Sequence, residues 1–191
     1  MKIFFYGGTF DPPHNGHKLI VDYCLNKCDK IVLVPNRKSP HKKIVPFASE
    51  KHRKKMLNIL FYNKKIEISN FEFESLSENY TYLTIKHLKK KYENFDLTMI
   101  IGYDQLLNLK KWKNIDFILS NVRIICFNRK LSKNKFIDKT LFNNIEFVED
   151  FKIMVSSSII RKNLKNKSFG NITSMLNSKI IKYIKENNLY A

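Results

Sequence analysis

Short apolar runs alternate with amphipathic helical patterns along almost the whole of this chain, and no other feature constrains its fold as much. Apolar runs predict strands at residues 2–6, 30–34, 66–73, 97–101, 122–127 and 145–148. Apolar residues at helical spacing predict helices at residues 15–25, 48–60, 80–92, 104–109, 114–119, 156–164 and 178–186. The alternation predicts a Rossmann-like α/β fold, in which an open parallel sheet carries helices on both faces.

Length and composition are those of one globular unit. The 191 residues suit a single domain, and 43% of them are hydrophobic. We expect one domain over residues 1–191, with the C-terminal helical part, about residues 155–191, packed on it. No apolar run approaches the roughly 18 residues that a membrane span needs, and the N-terminus does not have the pattern of a signal peptide. The sequence therefore predicts a soluble, cytoplasmic protein that does not bind membranes.

The strong positive charge, formally +18, is compatible with two kinds of partner. Only five of the 35 basic residues are arginine, the side chain that best grips phosphates and reads bases. The lysines are also spread along the whole chain rather than gathered into a patch. The charge therefore favours attraction of small polyanions, and a basic nucleic-acid-binding protein remains the alternative from another functional class.

Glycine is scarce, and its positions favour a ligand site. Of the five glycines, Gly7, Gly8 and Gly102 follow predicted strands, and Gly16 lies at the start of the first predicted helix. The carboxyl ends of parallel strands form the ligand crevice of an open sheet, and glycine lets the backbone approach a ligand closely. A single glycine is equally typical of an ordinary turn, but this pair is followed by a threonine and two histidines.

Residues 7–17, GGTFDPPHNGH, carry the strongest functional signal. His14 and His17 are three residues apart at the start of a helix, so both imidazoles lie on one side of its first turn. The N-terminus of a helix adds free N–H groups and the positive end of the dipole, which suits a polyphosphate. The segment is neither a P-loop nor a dinucleotide-binding G-x-G-x-x-G motif.

The HNGH segment resembles the T/HxGH signature of the nucleotidyltransferase superfamily, and its context resembles the bacterial nicotinate-nucleotide adenylyltransferase family. Four further segments match that family in order: PHK at 40–42, YTYLT at 80–84, IGYDQLLNLKKW at 101–112 and VSSSIIR at 155–161. The resemblance covers most of the chain. The departures are Ser158 in place of the usual Thr, Asn79 in place of Ser, Leu83 in place of Asp, and NRK at 128–130 in place of Arg-Pro-Gly.

The resemblance implies an enzyme of NAD biosynthesis that transfers AMP from ATP to nicotinate mononucleotide and releases pyrophosphate. The other product is deamido-NAD, that is, nicotinate adenine dinucleotide (NaAD). The acceptor phosphate attacks the α-phosphorus of ATP in line and without a covalent intermediate, so catalysis depends on positioning and charge stabilisation. The resemblance also implies Mg²⁺, held mainly by the ATP phosphates, so no metal site on the protein is expected.

The resemblance implies catalytic roles for His14, His17, Lys42 and Arg161. The histidines contact the triphosphate, with His17 nearest the transferred phosphorus, and Lys42 reaches the leaving pyrophosphate. Arg161 shares a helical face with the serines that open its helix. The expected ATP contacts are Gly7, Gly8, Thr9, Phe10, Gly16, Gly102, Asp104 at the ribose, Phe127 and Arg129 near the adenine, and Ser156, Ser157 and Ser158 at the β- and γ-phosphates.

The acceptor is expected to contact a second set of residues. Trp112, the only tryptophan, stacks on the pyridine ring by family analogy, although burial in the core would also explain it. Tyr80 and Thr81 offer backbone groups to the pyridine carboxylate, and Thr84 belongs to the same segment. Thr9 offers a hydroxyl and an N–H to the acceptor phosphate.

Several alternatives stay open. Nicotinamide mononucleotide, which has an amide in place of the pyridine carboxylate, is one alternative acceptor, and phosphopantetheine is another. A phosphopantetheine adenylyltransferase is usually shorter and does not need the segments at 104–112 and 156–161. A nucleotide sensor without turnover is disfavoured because His14, His17 and Arg161 are all present. The chain is compatible with a monomer or a homodimer.

Overall fold

The computed structural model describes residues 1–38, 45–75, 78–127, 145–149, 151 and 155–191. The strands are β1 (Lys2–Gly8), β2 (Lys30–Pro35), β3 (Ile66–Ile68), β4 (Asp96–Gly102), β5 (Arg123–Phe127) and β6 (Ile145–Val148). The helices are α1 (Asn15–Leu25), α2 (Glu50–Leu60), α3 (Phe71–Glu74), α4 (Thr81–Lys91), α5 (Tyr103–Leu106), α6 (Ile115–Asn121), α7 (Ser157–Lys165) and α8 (Ser178–Glu186). Among the described residues, a first 3₁₀ turn lies at Leu109–Lys111 and another at Phe169–Ile172.

The six strands form one parallel sheet in the order β3-β2-β1-β4-β5-β6. In the central strand, Tyr6 pairs with Leu33 of β2 on one side and with Ile100 of β4 on the other. The strand order reverses between β1 and β4, and an open α/β sheet binds its ligands at this point, beyond the carboxyl ends of the strands. The predicted Rossmann-like fold is confirmed.

The core has two halves, one on each face of the sheet. Side chains alternate along β1, so that Phe4 and Tyr6 enter one half while Ile3 and Phe5 enter the other. The first half is completed by side chains of α1, α2, α7 and α8, such as Ile20, Leu57, Ile160 and Ile180. The second half is completed by α4 and α6, through Ile85 and Ile118. The C-terminal helices therefore share a core with the sheet.

One predicted strand is partly wrong. Residues 66–73 alternate in polarity, but the strand ends at Ile68 and the helix α3 follows it. Ser69 makes this change of direction, because its N–H donates to the Leu33 carbonyl and its hydroxyl accepts a hydrogen bond from the N–H of Phe71. The predicted helix over 104–109 is also divided, into α5 and the first 3₁₀ turn.

In the described ranges, no helix is both long enough and apolar enough to span a membrane.

Two predicted site residues, Lys42 and Arg129, lie outside the described residues.

Candidate active site

The chain leaves β1 through a tight loop that ends at the first turn of α1. Phe10 has a left-handed backbone, with φ of 50°, and its ring is buried against Tyr6 and His17. A Cβ at Gly8 would lie 3.1 Å from the Phe10 ring, whereas a Cβ at Gly7 would project into open space. None of the glycines has a positive φ, so this pair contributes room rather than an unusual backbone conformation.

The two histidines are held against each other at the N-terminus of α1. His14 is the N-cap and His17 lies in the first turn, and the two rings stack with their centroids 3.7 Å apart. The backbone N–H of His14 donates to Nδ1 of His17 at 3.1 Å. Because Nδ1 accepts this bond, the neutral His17 ring carries its hydrogen on Nε2. This hydrogen bond therefore makes Nε2 the donor nitrogen of the neutral His17 ring, at the N-terminus of the helix.

The N-terminus of α7 lies against the same loop, although 145 or more residues separate the partners in sequence. Nη1 of Arg161 donates to the Asp11 carbonyl at 2.6 Å, and the Ser157 hydroxyl donates to the Pro12 carbonyl at 2.9 Å. Nη2 of Arg161 donates to the Ser158 hydroxyl at 3.3 Å, as their shared helical face predicts. The structure thus brings together the two segments that the sequence analysis assigned to one triphosphate.

The Asp11 carboxylate, which the sequence analysis did not single out, also fixes this loop. It is almost fully buried and accepts hydrogen bonds from the N–H groups of Phe47 and Ala48, at 2.7 and 3.0 Å. It also accepts from the Tyr190 hydroxyl at 2.8 Å. The C-terminal turn of the chain therefore supports the loop that carries the histidines.

Arg53 is a second buried support that the sequence analysis did not identify. Its side chain is 1% exposed, and its guanidinium donates to four backbone carbonyls, those of Thr9, Asn36, Arg37 and Ala48. Burial lowers the pKa of this guanidinium. The bonds join the loop after β1 to the loop after β2 and to the start of α2. Arginine is rare in this chain, and that rarity is a signal that could have drawn attention to Arg53.

A cleft opens beside this loop at the carboxyl ends of β1, β2 and β4. It contains most of the residues predicted to bind the acceptor, together with Glu72 and Lys113, which were not predicted. The residues that line it include Gly7, Gly8, Asn36, Glu72, Asn79, Tyr80, Thr81, Thr84, Gln105, Trp112 and Lys113. Trp112 is half-buried and also packs against the second half of the core, so both interpretations of this residue have structural support.

Asn79, which departs from the family's usual serine, connects the cleft to its surroundings. Its side-chain oxygen accepts hydrogen bonds from the N–H groups of Arg37 and Lys38, at 3.1 and 3.3 Å. Its side-chain nitrogen donates to the Glu72 carbonyl at 3.0 Å. The substitution therefore joins the loop after β2 to α3 at the wall of the cleft.

The described residues among the predicted adenosine contacts lie at the ends of β4 and β5 and at the start of α5. Asp104 is exposed at the start of α5, directly after β4, where a carboxylate can meet a ribose. The N–H of Gly102 donates to the Gln105 side chain at 3.2 Å. Phe127 is fully buried between Tyr23 and Phe151, so its ring cannot stack on a ligand and only its main chain is available.

Three predicted contacts at the histidine loop and α7 are fixed by their local structure. Thr9 is half-buried, and its carbonyl is used by Arg53. Gly16 is buried in the first turn of α1, between the two histidines. Ser156 is the N-cap of α7, and its hydroxyl accepts from the N–H of Ile159 at 3.3 Å.

Comparison with known proteins identifies the family. The Cytidylyltransferase-like family model matches residues 5–163. A Fusobacterium nucleatum protein named "Probable nicotinate-nucleotide adenylyltransferase" is 37% identical over 191 residues, covering 97% of this chain and 98% of that protein. The Bacillus subtilis protein named "Nicotinate-nucleotide adenylyltransferase" is 34% identical, covering 99% of this chain and 98% of that protein. The chain belongs to the nicotinate-nucleotide adenylyltransferase family.

Solved structures agree with this assignment to the nicotinate-nucleotide adenylyltransferases. The Plasmodium falciparum nicotinic acid mononucleotide adenylyltransferase complexed with NaAD is 26% identical and superposes with a TM-score of 0.82, covering 99% of this chain and 97% of that one. The same enzyme complexed with APC is 25% identical and also has a TM-score of 0.82. The family resemblance inferred from five ordered sequence segments is therefore confirmed.

Proposed function

We propose that this chain transfers AMP from ATP to nicotinate mononucleotide, giving NaAD and pyrophosphate. One observation carries the proposal: Arg161 and Ser157 of α7 bond directly to the loop that ends in His14 and His17. Two imidazoles, a guanidinium and two helix N-termini then surround one small region. Such a region suits a polyphosphate, and family membership of the whole chain names the acceptor.

The geometry supports catalysis by positioning and charge stabilisation. When the acceptor phosphate attacks the α-phosphorus in line, negative charge grows on the phosphate oxygens, and the proposed role of His17 is to donate a hydrogen bond to them from Nε2–H. The guanidinium of Arg161 adds a positive charge whose plane is fixed by its bonds to Asp11 and Ser158. No side chain has to form a covalent bond with the nucleotide. Lys42, which lies outside the described residues, keeps its proposed role at the leaving pyrophosphate.

The cleft beside the histidine loop is the proposed acceptor site. The N-terminus of α4, which begins at Thr81 after the N-cap Tyr80, offers the N–H groups of its first turn to the pyridine carboxylate. Trp112 provides an aromatic face for the pyridine ring. Gly7 leaves room for the acceptor to lie against the backbone of β1. Asp104 and Arg129 keep their proposed places at the ribose and adenine of ATP.

The proposed cofactor is Mg²⁺ that arrives with ATP. Among the described residues no group of three His, Cys, Asp or Glu side chains could hold a metal, and the Asp11 carboxylate is already used by three donors. We propose that the ion is held mainly by phosphate oxygens, whose charge it neutralises. We further propose that the chain works in the cytoplasm as one nucleotidyltransferase domain, as a monomer or homodimer.

The test is an acceptor comparison with the purified protein, ATP and Mg²⁺. Pyrophosphate release is followed with nicotinate mononucleotide, nicotinamide mononucleotide or phosphopantetheine, and the product is identified by mass. The proposal predicts the highest kcat/KM with nicotinate mononucleotide and NaAD as the product. A higher kcat/KM with either other acceptor would replace the proposed substrate. Salt-sensitive nucleic-acid binding with no turnover of any acceptor would favour the alternative functional class.

A further inference from the structure

A carboxyl group lies in the wall of the acceptor cleft, where an anionic substrate is proposed to bind. Glu72 belongs to the short helix α3, is 7% exposed and lines the cleft beside Thr84 and Trp112. Its Oε1 accepts a hydrogen bond from the Thr84 hydroxyl at 2.5 Å. Burying a carboxylate beside a substrate carboxylate is unfavourable unless a positive charge compensates for it.

No cation forms an ion pair with Glu72 among the described residues. The charged and titratable groups on neighbouring elements are directed elsewhere: Arg37 donates to the Ser75 carbonyl, Lys54 donates to Asn70, Arg53 packs on Phe73, His87 stacks on Phe71, and Lys113 lies over the Tyr80 ring. Desolvation by burial therefore dominates and raises the pKa of Glu72 to about 7, with the Thr84 hydrogen bond acting in the opposite direction.

We propose that Glu72 determines acceptor selectivity through its charge. When Glu72 is a neutral acid, the cleft admits the pyridine carboxylate of nicotinate mononucleotide, and when Glu72 is ionised, the cleft rejects it. The ionised form instead accepts hydrogen bonds from the amide of nicotinamide mononucleotide. This inference rests on the proposed function, because it assigns the cleft to the pyridine ring. The reaction itself is unchanged, since only the proton on Glu72 differs between the two states.

The direction of the pH effect follows from the raised pKa. Below about pH 7 Glu72 is neutral and the protein binds nicotinate mononucleotide fully. Above about pH 7 the fraction of protein molecules with a neutral Glu72, which can bind this substrate, falls. If only the neutral form binds, apparent affinity falls by up to about thirtyfold between about pH 6 and about pH 8.5. Nicotinamide mononucleotide carries the same ribose phosphate as nicotinate mononucleotide. Titration of this phosphate therefore affects the binding of both ligands equally and cancels when their affinities are compared at each pH.

The experiment measures the KM of nicotinate mononucleotide at saturating ATP across this pH range. The Ki of nicotinamide mononucleotide, as competitor of the same reaction, is measured in parallel. The ratio of KM to Ki should rise steeply with pH in the wild type and stay flat in Glu72→Gln, which keeps the Thr84 contact without the charge. Glu74→Gln, on the exposed side of the same helix, should behave as the wild type. The KM of ATP should be unaffected in both variants.

A second variant keeps the test informative if Glu72→Gln does not fold. Thr84→Val removes the hydroxyl that lowers the pKa of Glu72, so the midpoint of the rise should move to higher pH. A flat wild-type ratio, or the same rise in Glu72→Gln as in the wild type, would overturn the inference while leaving the proposed function intact. Absence of turnover with nicotinate mononucleotide at every pH would instead overturn the proposed function, and this inference with it.

Discussion

Trp112 lies at the boundary between the acceptor cleft and the core. Its substitution should therefore have separable effects on stability and on substrate binding. Trp112 lines the cleft, as Tyr80 and Lys113 do, and it also packs against the second half of the core. Loss of core contacts lowers the free energy of unfolding, whereas loss of a stacking surface weakens binding of one substrate only.

We predict that Trp112→Ala raises the KM of nicotinate mononucleotide more than the KM of ATP. Losing an aromatic stacking surface costs about 1 kcal/mol, or roughly fivefold in affinity. Steady-state kinetics with each substrate varied in turn measures the two values, and circular dichroism checks that the variant is folded. Trp112→Phe, which keeps an aromatic face, should recover most of the loss. Equal increases in both KM values would remove the stacking role.

At the scale of elements, the loop between β1 and α1 is held by parts of the chain that are far apart in sequence. Asp11 accepts a hydrogen bond from Tyr190, at a separation of 179 residues, and its carbonyl accepts from Arg161 of α7. Arg53 of α2 donates a hydrogen bond to the Thr9 carbonyl. Both histidines follow this loop directly, so their position depends on three other elements.

Tyr190→Phe isolates the contribution of the C-terminal turn. It removes one hydrogen bond to a buried carboxylate, so we expect the free energy of unfolding to fall by about 1.5–3 kcal/mol. Because the histidine loop loses a support, kcat should fall by up to about tenfold. Tyr183→Phe is the matched control, since it removes a hydroxyl that contacts His52 rather than the loop. A stability loss in Tyr190→Phe with unchanged kcat would show that the turn stabilises the fold without positioning the histidines.

These long-range supports explain which parts could be predicted from sequence. Long periodic segments such as α1 and α8 were predicted with their observed bounds, because their patterns are local. The partners of Asp11 and Arg53 were not predicted, because nothing in the neighbouring sequence indicates a contact with a distant turn or loop. Glu72 was missed because residues 66–73 alternate as a strand does, and that pattern concealed the turn at Ser69.

For the whole molecule, the net charge of +18 predicts that electrostatic attraction accelerates the association of ATP with the site. A positive field accelerates encounter with an anion, and salt screens this field over a Debye length of about 10 Å at 0.1 M. We therefore expect kcat/KM for ATP to fall severalfold between about 0.05 and about 0.5 M potassium chloride, while kcat changes little. Repeating the series with potassium acetate separates screening from a specific effect of chloride. A kcat/KM that is independent of salt would show that the charge does not steer ATP.

In the proposed mechanism, the histidine pair at the start of α1 acts on the transferred phosphoryl group. The most direct measurement is kcat for NaAD formation by His17→Ala, with His52→Ala as the control histidine on α2. A folded His17→Ala should lose at least about 100-fold in kcat, the scale of losing one well-placed charge-stabilising donor, while His52→Ala should stay near the wild type. A folded His17→Ala whose kcat remains within a few-fold of the wild type would show that the histidine pair does not act on the phosphoryl group.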